Sequence, residues 1–244
     1  MMYVIVGASA GVGRALAARF GSAGHDLILV SSDERDLRAM TADLEIRYGV
    51  RACPVAADVS DGDSYLDRIA SAANEMGGMD GLLFPVGAVA ATDDCSFDPD
   101  KVTWLTRVNY ESIVCAVTRF LPDLMTRQRA TLVAFGSVAA LRGRRHNVAY
   151  SAAKRALQSF FESLRHACVG SSVTVQFYVL GYMDTALARG LRTPIPKGNP
   201  ELLSTRVLQN LGRDVGVVYY PSFWRPAAAA LRHTPWWIFK RITF

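Results

Sequence analysis

Short apolar runs alternate along the chain with longer stretches of helical periodicity. The apolar runs, which are rich in β-branched residues, are YVIV (3–6), HDLILV (25–30), ACPVAA (52–57), DGLLFPV (80–86), TLVAF (131–135) and VTVQFYVL (173–180). They are continuous rather than alternating with polar residues, which is typical of strands buried on both faces of a parallel sheet. Because parallel neighbours need right-handed crossovers through helices, the pattern predicts an α/β fold with one doubly wound sheet and helices on both faces.

No repeat, low-complexity tract or linker divides the chain, so we expect a single domain over residues 1–244. The longest candidate loop is 183–200, MDTALARGLRTPIPKGNP, which is rich in glycine and proline. In a compact enzyme such a loop is more often a lid over the substrate than a disordered segment. Residues 222–244 form a separate apolar and basic tail.

Composition narrows the class of protein only moderately. Half of the residues are hydrophobic and the net charge is +5, which is compatible with nucleic acid, anionic lipids or phosphorylated substrates but decides nothing alone. The four cysteines form no C-x-x-C pair, as expected of reduced thiols in a cytoplasmic protein. The N-terminus has no basic leader, and no run reaches about 20 apolar residues. We therefore expect no secretion, no membrane span, no metal site and no nucleic-acid partner.

The first strand is followed by a glycine-rich turn, VIVGASAGVG, which opens a helical stretch. Gly7 would permit the tight turn, while Gly11, Val12 and Gly13 would let a pyrophosphate approach the backbone at the positive end of the helix. Ser9 could add a hydroxyl donor. The alternative is a tight turn that binds no ligand.

Tyr150 and Lys154 are four positions apart in AYSAAKRALQSF and so share one helix face. A free phenol has a pKa near 10, but an adjacent ammonium favours the phenolate. Lowering that pKa by about three units needs about 4 kcal/mol, which a close and partly desolvated cation could supply. Tyr150 could then exchange a proton with a carbonyl or alcohol oxygen. Taken alone, the pair is better explained by a tyrosine at the edge of the core and a solvated lysine.

Two further polar residues, Ser137 and Asn109, join Tyr150 and Lys154 as candidate catalytic residues. Ser137 ends a hydrophobic strand thirteen residues before Tyr150, and Asn109 lies in the preceding helical segment. With the glycine turn, this set resembles the short-chain dehydrogenase/reductase family, whose usual leading threonine is Val6 here. The resemblance implies a Rossmann domain with a mostly parallel seven-stranded sheet in the order 3-2-1-4-5-6-7. It also implies that Ser137 orients the substrate carbonyl, Tyr150 is the acid/base, Lys154 binds the nicotinamide ribose, and Asn109 holds a water.

The segment AADVSD resembles the family's sequence after the third strand. The resemblance implies that Asp58 meets the adenine amine and that Val59 packs on the ring. The segment is also a helix start signal, with Ser60 as the cap and Asp61 favouring the helix dipole. The two interpretations are compatible.

Two other family motifs are altered. LGYMDTALARGL resembles P-G-x-x-x-T with Leu180 in place of proline, which implies that the Met183 backbone and Thr185 meet the nicotinamide carboxamide. The family's N-N-A-G reads FPVG here, so that Gly87 keeps room for the cofactor while the bracing asparagine is lost. We expect Pro85 to perturb the local hydrogen bonding.

The choice between NAD and NADP depends on the end of the second strand, LILVSSDERDL. A carboxylate there would bind the ribose hydroxyls, whereas an arginine would attract a 2′-phosphate. The candidate positions hold Ser32 and Asp33, and Ala10 is not basic either. This pattern favours NAD slightly, although Ser32 with Arg35 or Arg14 would also suit NADP.

The run LRGRRHN places three arginines between the catalytic serine and tyrosine. Arg142, Arg144 and Arg145 would suit a substrate phosphate or carboxylate, because guanidinium groups bind both in a bidentate manner. The alternative is a solvated loop or a subunit contact. His146 is interpreted as a loop residue.

The tail combines aromatic and apolar residues with basic ones in YYPSFWRPAAAALRHTPWWIFKRITF. It is too short and too charged to span a bilayer but has the composition of an interfacial helix, which would place a cytoplasmic protein at the inner face of the membrane. Alternatively, the tail docks on its own core or on a sister subunit, since homodimers and homotetramers are common in the family.

Within the family, the tail and the arginine loop loosely resemble the reductases of decaprenylphosphoryl-2-keto-pentose in polysaccharide and glycolipid biosynthesis. The resemblance implies NAD(P)-dependent hydride transfer with a secondary alcohol or ketone, such as a phosphorylated or lipid-linked keto-sugar. One alternative is a 3-ketoacyl or polyketide ketoreductase. Another is a catalytically silent nucleotide-binding regulator, which the loss of Tyr150 or Lys154 would favour; both are present.

Overall fold

A computed structural model describes residues 1–90, 93–94, 98–185 and 195–241. Seven parallel strands form one sheet in the order β3-β2-β1-β4-β5-β6-β7, which confirms the predicted fold. The strands are β1 (Met2–Val6), β2 (Asp26–Ser31), β3 (Ala52–Ala56), β4 (Gly81–Phe84), β5 (Ala130–Ser137), β6 (Val173–Leu180) and β7 (Val217–Tyr220). The apolar runs mark the first six. They do not mark β7, which is a short and half-exposed edge strand.

Helices cover both faces of this sheet. The helices are α1 (Gly11–Ser22), α2 (Glu34–Tyr48), α3 (Asp63–Met76), α4 (Pro99–Thr106), α5 (Ser112–Met125), α6 (Val148–Ala167), α7 (Pro200–Gln209), α8 (Trp224–His233) and α9 (Trp236–Phe239). A π-helical turn, Arg107–Glu111, joins α4 to α5, and a 3₁₀ turn, Val138–Leu141, follows β5.

Strand β1 shows why the apolar runs are continuous. Side chains alternate between the two faces of a strand, so both faces of a covered sheet need apolar residues. Val4 and Val6 pack into the core beneath α3, α5 and α6, whereas Tyr3 and Ile5 pack into the core beneath α1, α2 and α7. Burying each large apolar side chain stabilises the fold by about 1.5–3 kcal/mol.

Pro85 shortens the fourth strand. The apolar run extends to Val86, but β4 ends at Phe84 because proline has no N–H for the ladder. The effect is local, since the Val86 nitrogen still donates a 3.0 Å hydrogen bond to the Val6 oxygen. The exit of β4 therefore stays beside the exit of β1.

The expected cap of the third helix is wrong. Helix α3 begins at Asp63 with Gly62 in the cap position, instead of beginning after Ser60. The Ser60 nitrogen and hydroxyl both donate to the Asp58 carboxylate, at 2.8 and 2.7 Å, so the side chains close a separate turn before the helix.

The C-terminal tail is two short helices rather than one. Thr234 is the C-cap of α8 and Pro235 precedes α9. Trp224 and Phe239 are buried against the domain, whereas Trp236 and Trp237 are 67% and 61% exposed. No helix in the described part of the chain is long and apolar enough to cross a bilayer.

Candidate active site

The carboxyl ends of the parallel strands open into one cleft, as expected of a doubly wound sheet. Its walls come from the glycine turn after β1, the exit of β4, the end of β5, the start of α6 and residues 180–185 after β6. The topology thus brings together residues as distant in sequence as Gly7 and Thr185. Most of the described lining residues are apolar, and the two charged ones among them, Arg144 and Lys154, are both cationic.

Ser137 and Tyr150 meet in this cleft. Strand β5 ends at Ser137, Tyr150 lies in the first turn of α6, and the two side chains are hydrogen-bonded. Burial raises the pKa of the Tyr150 phenol, while the hydrogen bond from Ser137 and the charge of Arg144 act in the opposite direction. In the protein without cofactor, the phenol therefore carries its proton at neutral pH.

Lys154 is buried one turn further along α6, with 3% of its surface exposed. Its ammonium group donates 3.2 Å hydrogen bonds to the main-chain oxygens of Val86 and Phe135. Burial lowers the pKa of Lys154 to about 8. The cation that lowers the pKa of the Tyr150 phenol here is Arg144, and the expected effect of Lys154 on that pKa stays a prediction.

Asn109 lies at the centre of the π-helical turn and is fully buried. Its side-chain oxygen accepts from the Ala88 nitrogen at 3.2 Å, and its amide donates to the oxygens of Ala88 and Leu105 at 2.8 and 2.9 Å. Single π turns are frequent at functional sites. Asn109 therefore braces the exit of β4, next to the main-chain oxygen to which Lys154 bonds.

The three glycines of the first turn have different roles. Gly7, with φ of +93°, faces the Val86 backbone, where a Cβ atom would come within 2.7 Å. Gly11, with φ of +50°, lies under the Thr185 methyl group, and both residues line the cleft. A Cβ atom on Gly13 would lie 1.9 Å from the Gly7 oxygen. Gly13 therefore serves the packing of α1 on β1, and its contact with a pyrophosphate stays a prediction.

The chain matches the short chain dehydrogenase family model over residues 2–195. It belongs to the short-chain dehydrogenase/reductase family. An uncharacterized oxidoreductase of Myxococcus xanthus is 30% identical over 193 residues, which cover 79% of this chain and 76% of that protein. A hydroxysteroid 11-beta-dehydrogenase 1-like protein of Macaca fascicularis is 30% identical, covering 91% and 78%. The fold is also that of a 7beta-hydroxysteroid dehydrogenase, with a TM-score of 0.84 at 19% identity over 96% of this chain and 92% of the other.

Other positions that the family resemblance singled out are arranged around this cleft. Ser9, Val12, Gly87, Met183 and Thr185 line it. The Met183 backbone pairs with Gly198, and the Thr185 nitrogen donates to the Met183 oxygen, so both ends of the 183–200 loop are anchored. Residues 186–194 lie outside the described residues.

The residues that the family resemblance assigns to the adenosine are mostly exposed. Ser32 and Asp33 are exposed at the end of β2, and the Asp33 carboxylate accepts a 2.9 Å bond from the Asp36 nitrogen as the cap of α2. Asp58 is exposed and bonded to Ser60. Val59 is buried in the core cluster and does not line the cleft.

The three arginines of the loop before α6 diverge. Arg144 is half-buried and lines the cleft near Tyr150. Arg142 turns away, donates to the main-chain oxygens of Leu231 and Thr234, and stacks over Phe239 at 4.2 Å. The expectation that Arg142 meets the substrate is therefore wrong, because the carbonyl end of α8 attracts its charge. Arg145 and His146 are exposed and do not line the cleft.

Sequence reasoning missed three residues of the site. Asn147 and Tyr182 line the cleft, and Asp93 hydrogen-bonds the first turn of α6. Asn147 is the non-glycine residue with a positive φ in the described chain, at 58°. No local pattern marks Asp93, since its partners are 56 and 57 residues away.

Proposed function

We propose that the protein is an NAD(P)-dependent oxidoreductase that transfers hydride between a nicotinamide and a ketone or secondary alcohol. The observation that carries this proposal is the Tyr150 phenol, hydrogen-bonded to Ser137 in a cleft that also holds Lys154 and the glycine turn. Its hydrogen bond to Ser137 places the phenol where it would exchange a proton with a substrate oxygen beside the nucleotide site.

The residues of the cleft fit a dinucleotide. Gly7 and Gly11 have positive φ values and leave the backbone bare at the start of α1, where main-chain N–H groups favour a pyrophosphate. Gly87 has little room for a side chain, since a Cβ atom there would lie 3.3 Å from Lys154 Nζ. Thr185 closes the glycine turn from the opposite side. A nucleotide would therefore extend from Ser9 and Gly11 to the catalytic group.

The bound nicotinamide supplies or accepts the hydride. In reduction, Ser137 holds the substrate oxygen while Tyr150 donates its proton to that oxygen as the carbon receives the hydride. The alcohol forms with one new C–H and one new O–H bond, and the phenolate regains its proton from solvent. The raised pKa of Tyr150 keeps the phenol protonated for this direction, while the charge of Arg144 stabilises the phenolate that remains.

Lys154 and Asn109 support this step. Lys154 holds the β4 exit and the β5 strand together through its two carbonyl contacts, and its ammonium group would reach the ribose hydroxyls of the nucleotide. Asn109 fixes the Ala88 backbone in the same segment. A water beside Asn109 would complete the path for the proton.

For the nucleotide, we favour NAD over NADP. The Asp33 carboxylate lies at the end of β2, where it would accept from ribose hydroxyls. Arg14, the nearest candidate for a 2′-phosphate, is paired with Asp36 at 2.6 Å and bonded to the Ser9 oxygen. Asp58 and Val59 would meet the adenine at the turn after β3, outside the residues that line the cleft.

For the substrate, we propose a ketone that carries an anionic group, of which a phosphorylated or lipid-linked keto-sugar is the leading example. Arg144 supports this class because it is the charged residue on the substrate side of the cleft, and no acidic side chain lines the cleft in the described chain. Arg145 is exposed and does not line the cleft, so it serves as the control for Arg144. A ketoacyl or other apolar ketone is the second candidate, supported by the apolar walls at Val89, Leu180 and Met183.

The decisive experiment mixes the purified protein with NADH or NADPH and a panel of ketones. Tyr150→Phe should abolish turnover and spare nucleotide affinity, whereas Tyr48→Phe, on the outer helix α2, should leave both unchanged. If neither nucleotide is oxidised although both bind, the protein is a nucleotide-binding regulator instead of an enzyme.

A matched pair of substrates separates the two substrate classes. Dihydroxyacetone phosphate and dihydroxyacetone differ only in the anionic group, so Arg144→Gln should reduce the preference for the phosphate. The control Arg145→Gln removes the same charge outside the cleft and should not. Turnover of an apolar steroid or ketoacyl ketone, with no preference for the phosphate, would instead favour the second class.

We further propose that this enzyme is cytoplasmic and touches the anionic inner face of the membrane through its tail. Residues 215–244 contain no acidic side chain, and Trp236 and Trp237 are exposed beside Lys240 and Arg241. Tryptophan and basic residues suit the headgroup region of a bilayer. Flotation with phosphatidylglycerol vesicles should fail for the double variant Trp236→Ala/Trp237→Ala but not for Ile46→Ala, an exposed control. A changed oligomer with unchanged flotation would assign the tail to a homodimer or homotetramer contact.

A further inference from the structure

A carboxylate outside the four catalytic candidates holds the first turn of α6. Asp93 lies in the connection after β4 and is 6% exposed. Its two carboxylate oxygens accept 2.9 Å hydrogen bonds from the main-chain nitrogens of Ala149 and Tyr150. Its main-chain oxygen accepts a third bond, of 2.6 Å, from the Asn147 nitrogen. One residue thus ties the β4 connection to the start of the catalytic helix.

Helix α6 needs this contact because it has no cap of its own. The first N–H groups of a helix lack partners within it, and the residue before the helix usually supplies an oxygen. Here the N-cap residue, Asn147, has a left-handed backbone and makes no side-chain cap bond. The acceptor comes instead from Asp93, in a different segment. A carboxylate suits this place because the N-terminus of a helix carries a partial positive charge.

The capped turn is the turn that carries the phenol. We propose that Asp93 is a positioning residue for hydride transfer, which fixes the first turn of α6 so that Tyr150 faces Ser137 across the cleft. This inference rests on the proposed role of Tyr150 as the acid/base. Asp93 touches neither the substrate nor the nucleotide site; it acts through the main chain of Tyr150.

The charge of Asp93 also bears on the phenol. The charged groups around Tyr150 are Arg144 on the preceding loop, Lys154 on the next turn of α6, and the Asp93 carboxylate at the helix N-terminus. The helix N-terminus and the charge of Arg144 favour the phenolate, whereas a carboxylate at the helix N-terminus disfavours it. Removing that negative charge should therefore shift the alkaline loss of ketone reduction to lower pH.

The test compares Asp93→Asn with Asp98→Asn. Asp98 caps α4 in a similar way, accepting from the nitrogens of Asp100 and Lys101 at 3.1 and 3.3 Å, but α4 carries no catalytic candidate. Asp93→Asn should lower kcat about 10- to 100-fold because the acid is misplaced, with nucleotide Kd unchanged. It should also move the alkaline limb to lower pH. Asp98→Asn should lower thermal stability and leave kcat and the pH profile unchanged.

A second variant separates geometry from charge. Asp93→Glu keeps the negative charge but moves the carboxylate by one methylene, so kcat should fall while the alkaline limb stays in place. It also serves as the test if Asp93→Asn fails to fold. Wild-type kcat in the folded variants, or equal losses for Asp93→Asn and Asp98→Asn, would overturn the inference.

A readout without turnover distinguishes this inference from the proposed function. The phenol of Tyr150 can be titrated by NMR in protein carrying ¹³Cζ tyrosine, with its signal assigned through Tyr150→Phe. Asp93→Asn should lower the pKa of this phenol, and an unchanged titration would count against the inference. If the wild type turns over no ketone, the proposed function fails, while the titration still tests the link from Asp93 to Tyr150.

Discussion

The ammonium nitrogen of Lys154 donates a 3.2 Å hydrogen bond to the main-chain oxygen of Phe135. Phe135 is two residues before Ser137 on β5, so this bond joins helix α6 to the strand that ends at Ser137. The lysine is buried, and its ammonium group donates to the carbonyl oxygens of Val86 and Phe135. Its positive charge is therefore costly to keep in the folded protein, and burial lowers its pKa to about 8.

This lowered pKa gives a stability prediction with a definite sign. Between pH 8 and 10.5 the unfolded chain keeps the Lys154 proton and the folded chain loses it, so this residue makes stability rise with pH in that window. Lys154→Met should therefore be more stable than the wild type at pH 7, by at most about 3 kcal/mol, and this advantage should shrink towards pH 10. Urea unfolding without nucleotide at both pH values measures it. A constant difference between the two proteins would contradict the prediction.

Much of the fold, and the residues proposed as the catalytic set, could be predicted because their signals are local. Continuous apolar strands, a glycine turn and Tyr150 four residues before Lys154 each lie within one short segment. What the sequence could not predict depends on contacts between distant segments. The Asp93 cap joins residues 56 apart, and Arg142 meets a carbonyl 92 residues away. The sequence also does not predict the direction of a side chain. Arg142 and Arg144 lie in the same loop, yet one contacts the end of α8 and the other lines the cleft.

Gly13 should tolerate no side chain. A Cβ atom there would lie 1.9 Å from the Gly7 oxygen, which is backbone and cannot rotate away, so α1 would have to move off β1. We expect Gly13→Ala to lower the free energy of unfolding by about 3 kcal/mol and to abolish nucleotide binding. Gly143→Ala is the matched control, because nothing lies within 4 Å of its Cβ position. Thermal unfolding with nucleotide titration measures both, and equal behaviour of the two variants would refute the packing role.

The preference for NAD should depend on the pair formed by Arg14 and Asp36. The guanidinium lies 2.6 Å from the Asp36 carboxylate at the surface, near the glycine turn. Asp36→Asn should release Arg14 towards a 2′-phosphate and remove a repulsive charge, raising the NADPH/NADH ratio of kcat/KM about 2- to 5-fold, as exposed charge pairs are weak. Arg14→Gln should lower the ratio. Asp43→Asn breaks the exposed pair with Arg47 on the same helix and serves as the control. An NADPH/NADH ratio that is the same in the wild type, Asp36→Asn and Arg14→Gln would exclude this explanation.

Arg142 should stabilise the tail against the domain rather than bind substrate. It donates to two main-chain oxygens at the end of α8 and stacks over the buried Phe239 ring, while Trp224 of the same tail packs on Tyr182 beside the cleft. Losing a charged hydrogen bond and a cation–π contact should cost about 1 to 3 kcal/mol. We expect Arg142→Gln to lower the unfolding temperature and to hasten proteolysis of the tail, with KM for the substrate unchanged. Arg145→Gln, exposed on the same loop, should do neither. If Arg142→Gln instead raises KM for the substrate and leaves proteolysis of the tail unchanged, Arg142 binds the substrate.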